Sequence, residues 1–291
     1  MTPVRRHQPD APAPARKGSA GSVWHYVVGD VHGCFDSLRR LEDRIAAHAA
    51  RNRVRPLVVL VGDLIDRGPA SRSVVSWVRA GVAAGTHAAV LGNHDILMLE
   101  CLQAFGRWPE TLAWPDHLYR LTDHHARGER SARWLSPRDH ADYRRMLWLS
   151  QGGYQTLVSY GCRPDRPASW DIDADDLGFL VRLPTVWCSS RVVVSHALAR
   201  AVDLQAAASG DLPRRREACH RLVWSRELPE AAPDPDRIHV SGHSPMQRVR
   251  RRPELGLVQV DTGCVYGRRL SAWCCESDQV LSVALEDPVD A

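Results

Sequence analysis

Three times within the first hundred residues an apolar run stops at a glycine and a polar side chain, and an amphipathic stretch follows within a few positions. "WHYVVGD" leads to "CFDSLRRLEDRIAAHAA", which puts Phe35, Leu38, Leu41 and Ile45 on one helical face. "PLVVLVGD" leads past Arg67-Gly68-Pro69 to a helix carrying Val74, Val75 and Val78, and "HAAVLGNHD" leads to "ILMLECLQAF". Strand then helix, repeated, implies an α/β fold: a largely parallel sheet covered by helices, with ligands at the carboxyl ends of the strands.

Beyond that point the pattern changes. From Gly106 to Ser150 the periodicity weakens and Trp, His, Arg and Pro become frequent, which suggests a mostly helical insertion or cap over 106–150. "QGGYQTLVSYG" and "DADDLGFLVRLPTVWC" read as a further helical region. "RVVVSHA" and "RIHVSGHSP" return to apolar strands ending in histidine. The last segment, "GLVQVDTGCVYGRRLSAWCCESDQVLSVALED", alternates as antiparallel strands do, with turns at Gly263 and Gly267, and a second sheet packed on the first would accommodate it.

A chain of 291 residues without a clean linker reads as one domain over 23–288. The Pro-, Ala- and charge-rich residues 1–22 cannot bury enough surface to offset chain ordering and are expected to form a disordered tail. No apolar run approaches the ~18 to 20 residues that span a bilayer, and the N-terminus lacks the apolar block of a secretory signal. A cytoplasmic protein without a membrane partner is therefore expected. In that compartment the eight cysteines are expected to be reduced thiols, and no Cys-x-x-Cys pair suggests a zinc knuckle. The net charge of +4 is small, Lys17 is the only lysine, and the clusters Arg214 to Arg216 and Arg248 to Arg252 read as solvated basic faces. No basic stripe with interleaved aromatics argues for nucleic acid.

The polar residues at the strand ends are the informative ones. Asp30 and His32, Asp63, Asn93, His196 and His243 each close an apolar run. A lone Gly-Asp is usually a turn and a lone His usually a structural residue, but all of these together would converge on one sheet edge. Carboxylate and amide oxygens mixed with imidazole nitrogens suit Mn²⁺, Fe or Zn²⁺ better than Ca²⁺.

"GDVHG" at Gly29 to Gly33, "GDLIDRG" at Gly62 to Gly68, "GNHD" at Gly92 to Asp95, "SHA" at His196 and "GHSP" at His243 resemble the motifs of the calcineurin-like metallophosphoesterases. The likeness is closest to their phosphoprotein phosphatase branch and runs from about Val27 to Ala284. It implies two packed mixed β-sheets flanked by helices, an α/β/β/α sandwich. It implies two divalent metal ions, Mn²⁺ first, with Fe or Zn²⁺ as alternatives. Asp30, His32 and Asp63 would hold the first ion; Asp63, Asn93, His196 and His243 would hold the second. A hydroxide bridging the ions would attack phosphorus. His94 would protonate the leaving oxygen, Asp66 would orient His94, Arg67 would grip the phosphate, and Arg226 of "LVWSRE" would be a second phosphate-binding arginine. Asp95 reads as a helix-starting acid rather than a ligand.

The resemblance implies hydrolysis of phosphomonoesters, with a serine/threonine protein phosphatase acting on a phosphoprotein or small phosphoester as the main reading. The alternative is a symmetrical bis(5'-nucleosyl)-tetraphosphatase hydrolysing diadenosine tetraphosphate, whose "LDTGC"-type ending resembles "VDTGCVYG". Those relatives commonly carry Gln and Asn where this chain has His32 and Asp66, which favours the phosphatase branch. A non-catalytic binding protein on the same fold would be expected to have lost a ligand or His94, and none is lost. Gln151 stands where Asn is expected, Leu198 where Gly is common, and Arg268-Arg269 in place of a glycine. Histidines 117, 124, 125 and 140 fit no tetrahedral set, and Trp108, Trp114 and Trp134 read as packing for the cap.

Overall fold

The computed structural model describes residues 21–119 and 137–285. Residues 1–20 of the expected tail, 120–136 of the expected insertion, with His124, His125 and Trp134, and 286–291 lie outside the described residues, as does the side chain of His140.

The three strand–helix units form as expected. β1 (Val23–Val28), β2 (Arg55–Leu60) and β3 (His87–Ala89) pair in parallel, with Tyr26 opposite Val58 and Val59 opposite Ala88. The crossovers are α1 (Phe35–Asn52) and α2 (Ser71–Ala83). Leu38, Leu41, Ile45 and Ala49 of α1 are buried, as the spacing of about 3.6 residues per turn requires. α1 stops where Arg53 turns left-handed at φ 58° and its amide caps the carbonyls of Ala49 and Ala50. The third helix, α3 (Asn93–Ala104), is buried from Asn93 to Leu102. Its apolar residues Ile96 to Leu99, Cys101 and Leu102 fall on all sides of the helix, so it is covered on every side. α4 (Pro137–Trp148) packs on α3.

After α4 the chain tightens into a π-type turn at Leu149–Gly153 and continues as α5 (Tyr154–Ser159) and α6 (Ala174–Leu180), which both pack on α2. Asp173 caps α6 by accepting from the amides of Asp175 and Asp176. The expected helical reading of "DADDLGFLVRLPTVWC" ends too late, because Val186–Cys188 is a strand, β4, paired antiparallel with β5 (Val192–Ser195). Pro184 punctuates the segment, and the alternation beyond it is too short to register as a strand. α7 (Ala201–Ala207) and α8 (Leu212–Trp224) follow, then β6 (Ile238–Ser241), β7 (Arg250–Arg252) and β8 (Leu257–Gln259).

The second sheet runs β4-β5-β6-β8-β7 and is mixed, with β8 parallel to β6. The expectation that "GLVQV…" begins a run of antiparallel strands is thus corrected. Of the strands in that segment, β9 (Arg269–Cys274) and β10 (Val280–Ala284) are antiparallel to each other, and they return to the first sheet, order β10-β9-β1-β2-β3. Gly263 and Gly267 do turn the chain between β8 and β9, at φ 70° and 75°.

The strands of the first sheet divide their side chains by alternation. Tyr26, Val28, Val58 and Leu60 belong to the large apolar cluster shared with the helices. Val27, Val59, Val61 and Val90 face instead a smaller cluster with Val192, Val194, Val240, Val258 and Trp273. Helices on one side and a second sheet on the other give the layered sandwich. Among the described residues no helix is long and apolar enough to cross a membrane.

Candidate metal centre

All of the polar strand-end residues come together, drawn from both sheets rather than from one edge of one. Asp30 and His32 follow β1, Asp63 follows β2, Asn93 opens α3 beyond β3, His196 follows β5 and His243 follows β6. Each is buried. Asp30, Asp63 and His196 bring donor atoms within 4.8 Å of one another, as do His32, Asp63 and His94. Asp63 is common to both groups: its Oδ2 lies 3.4 Å from His32 Nε2 and 3.4 Å from His196 Nε2. Asn93 Oδ1 lies 2.9 Å from His196 Nε2 and 3.0 Å from His243 Nδ1.

The backbone is bent to achieve this. His32, Asp63, Asp66, Arg67 and His243 all have φ between 46° and 73°. Non-glycine residues are uncommon in that region and cluster at functional sites. Asp95 holds one of these bends, accepting from the amides of Asp63 (3.0 Å), Leu64 (3.1 Å) and Gly92 (2.9 Å). It is the helix-starting acid expected and also the staple of the Gly62–Leu64 turn. Gly92 must be glycine, because a Cβ there would lie 2.1 Å from Asp63 Oδ1.

The histidines are oriented by what their outer nitrogens do. A carbonyl only accepts, so His32 Nδ1–H donates to Ile65 O (2.8 Å) and His196 Nδ1–H donates to Val61 O (2.9 Å). Both therefore turn Nε2 to the cluster, the nitrogen each would offer a metal ion. His243 presents Nδ1, and its Nε2 lies 3.3 Å from Arg226 Nε.

Burial alone would raise the Asp63 carboxyl, but His196, His94 and His32 hold it well below the usual carboxylate range. Burial would likewise lower His196, and Asp63 and Asp30 instead push it up. Desolvation takes His32 and His243 down to about 3. Burial and Asp261 push Asp30 up. A dry pocket that draws positive charge onto one imidazole while leaving two others neutral has the electrostatics of a cation site. Two carboxylates, an amide oxygen and three imidazoles fit a pair of divalent ions.

Beside this cluster lies a second group. His94 Nδ1 is 2.7 Å from Asp66 Oδ2, both fully enclosed, and the Arg67 guanidinium reaches His94 Nε2 at 2.9 Å and also contacts His32 Nε2. The groups open on a cleft of about 340 Å³ walled by Arg67, Arg226, Gln151, Trp224 and Tyr266. Arg67 stands over the Tyr266 ring at 5.4 Å, and Tyr266 is 54% exposed. Arg226, exposed on the rim, lines the same cleft.

Sequence reasoning missed Asp261, a buried cleft residue whose Oδ1 accepts from Gly263 N–H at 2.9 Å, and whose carboxyl burial pushes up to about 6. Its signal was available: "LVQVDTG" is one more apolar run closed by an acid. It also missed Trp148 and Thr156, which have no such signal. Of the histidines set aside, His117 is half-buried and lines a different cavity, and Trp108 and Trp114 pack against each other, tilted by 52° with ring centroids 5.1 Å apart.

Residues 25–269 match the family model described as Calcineurin-like phosphoesterase. Proteins of Dechloromonas aromatica and Aromatoleum aromaticum, both named symmetrical bis(5'-nucleosyl)-tetraphosphatase, are 27% and 28% identical, over 89% of this chain and 95% and 96% of theirs. Among solved structures, a candidate diadenosine tetraphosphatase matches with a TM-score of 0.54 and 19% identity, over 93% of this chain and 100% of that one. A serine/threonine phosphatase from Saccharomyces cerevisiae matches at 0.51 and 12% identity, over 92% and 82%. The structural likenesses bear on the fold alone. Two mixed five-stranded sheets between helices, a buried cluster at their facing strand ends and a family match over most of the length agree: the chain belongs to the calcineurin-like phosphoesterase family.

Proposed function

We propose that this metallophosphoesterase cleaves dinucleoside tetraphosphates symmetrically, releasing two nucleoside diphosphates, and that diadenosine tetraphosphate is its type of substrate. The observation that carries the reading is end-to-end similarity to relatives named for that activity, over 95% and 96% of their own length. It reverses the preference drawn from the motifs alone.

In this reading Asp30, His32 and Asp63 would hold one divalent ion and Asp63, Asn93, His196 and His243 the other. Two such cations supply neutralisation of phosphate charge and activation of water for in-line attack. The chain's own residues supply the rest. Arg67 turns its forked N–H donors from His32 and His94 to the phosphate oxygens, and Arg226 meets the chain of phosphates from the rim. Trp224 and Tyr266 offer aromatic surface to a base at the same cleft. His94 Nε2 delivers a proton to the departing oxygen, and Asp66 keeps the ring turned so that Nε2 faces the cleft.

A second reading, a phosphoserine or phosphothreonine phosphatase, is favoured by one observation: the complete Asp66–His94 pair beside His32. An alkoxide leaving group is a strong base and needs that proton; a nucleoside diphosphate is a weak one and needs it less. The test is a comparison of kcat/KM on diadenosine tetraphosphate, a phosphoserine peptide and p-nitrophenyl phosphate with the Mn²⁺-loaded protein. The expected result is preference for the dinucleotide with ADP as the only nucleotide product. Preference for the peptide, or AMP and ATP as products, would establish the second reading or an asymmetric hydrolase instead.

A further inference from the structure

We propose that Trp148 and Thr156 are positioning residues that aim the Asp66–His94 pair, and that the Gly152 backbone sets Arg67 in the same way, from a segment belonging to neither sheet. This rests on the reading of His94 as the leaving-group acid.

Asp66 is fully buried and each of its carboxylate oxygens is committed. Oδ2 accepts from His94 Nδ1 at 2.7 Å and from Trp148 Nε1 at 3.0 Å; Oδ1 accepts from Thr156 Oγ1 at 2.7 Å. The Asp66 amide in turn donates to Thr156 Oγ1 (2.9 Å) and Ser71 Oγ (3.1 Å), so Thr156 clamps both ends of the residue. Without these donors the carboxylate could rotate about its terminal torsion, which is broad for Asp, and the imidazole would turn with it. One residue further on, Arg67 N–H donates to Gly152 O at 3.1 Å. Gly152 has φ 112°, and a Cβ there would lie 2.3 Å from Arg67 N. The turn therefore presses directly on the arginine that reaches His94 Nε2.

A packing role alone does not account for Trp148. Its ring is fully buried, edge-on to Trp170 at 5.8 Å and against Gly153, and phenylalanine would fill much of that space. A buried indole N–H needs an acceptor, and the one it has is the carboxylate that orients His94.

Trp148→Phe keeps the apolar ring and removes the donor; Thr156→Val removes the other, and Thr156→Ser restores it. The Mn²⁺-loaded enzymes are assayed on aryl phosphates of graded leaving-group basicity, with metal content and Tm measured alongside. Rates on the most basic leaving group are expected to fall about 10- to 100-fold in Trp148→Phe and Thr156→Val and much less on p-nitrophenyl phosphate, steepening the dependence on leaving-group basicity. KM and metal content should hold, Thr156→Ser should recover, and Trp148→Phe should add nothing in a His94→Asn background. An equal fall on every substrate, or an additive loss with His94→Asn, overturns the proposal. If His94→Asn itself leaves that dependence unchanged, the reading of His94 fails, and the two failures are told apart.

Discussion

The two flanks of the cleft are held by different physical means. On the metal-centre flank every candidate ligand follows a strand or opens the helix behind one, so ladder pairing places it, with a left-handed bend added at His32, Asp63 and His243. On the other flank Asp66 and Arg67 lie between β2 and α2, His94 stands in the first turn of α3, and the orientation of Asp66 comes from side chains 82 and 90 positions away. Backbone placement survives loss of a single contact; side-chain placement does not. Substitutions behind the first flank should thus change what the site binds, and those behind the second how fast it turns over.

The sharpest separation comes from two replacements. Asp63→Asn should cost roughly 10³-fold or more in kcat and reduce bound metal, since it weakens the carboxylate common to both groups. Unchanged metal stoichiometry with full activity would remove Asp63 from its assigned place. His94→Asn should keep both ions yet lose on the order of 10²- to 10⁴-fold in rate on alkyl phosphates. Equal loss of metal would make His94 a ligand and erase the distinction between the flanks. Gly152→Ala should be milder, destabilising by about 1–3 kcal/mol because both its φ and its space exclude a side chain, with a raised KM from a displaced Arg67. A Tm and KM indistinguishable from the parent would show that the turn does not press on Arg67.

The smallest effect concerns acid stability behind the sheet-held flank. Ser195 Oγ donates to Ala197 O, so it accepts from His239 Nε2–H at 2.8 Å, which leaves His239 Nδ1 buried without a partner among the described residues. Burial lowers His239 to about 4. Its folded value lies below the unfolded one, so the unfolded chain takes up the proton first. Stability is unaffected above the unfolded value of about 6.5 and falls as pH drops from there to about 4, by at most about 3 kcal/mol. Denaturant titrations at pH 7.5 and 4.5 should show the drop, and His239→Leu should shrink it.

Legibility in the sequence follows the same division. The strand-end residues could be found because a run such as "VVVSH" announces both the strand and the polar residue that ends it, and βα repetition fixes which ends meet. Strands as short as β4 and β7, three residues each, carry too few alternations to be read, and β8 pairs in parallel with β6 only because the intervening chain loops back. Trp148 is one of ten tryptophans, and nothing local distinguishes a donor to a carboxylate from a core filler. His32 and Asp66 were legible as residues yet argued for the wrong substrate class in the reading now preferred, because a proton-delivery pair reports the chemistry available, not the molecule supplied.

The layer between the sheets is almost entirely valine, with Val27, Val59, Val61, Val90, Val192, Val194 and Val240 meeting there. Short, β-branched side chains of one length act as a shim that sets how far apart two flat surfaces stand, and here those surfaces carry opposite halves of the pocket. Enlarging a single shim, as in Val194→Leu or Val240→Leu, would spread the jaws and loosen the grip on a small ion from a point no solvent or substrate ever touches.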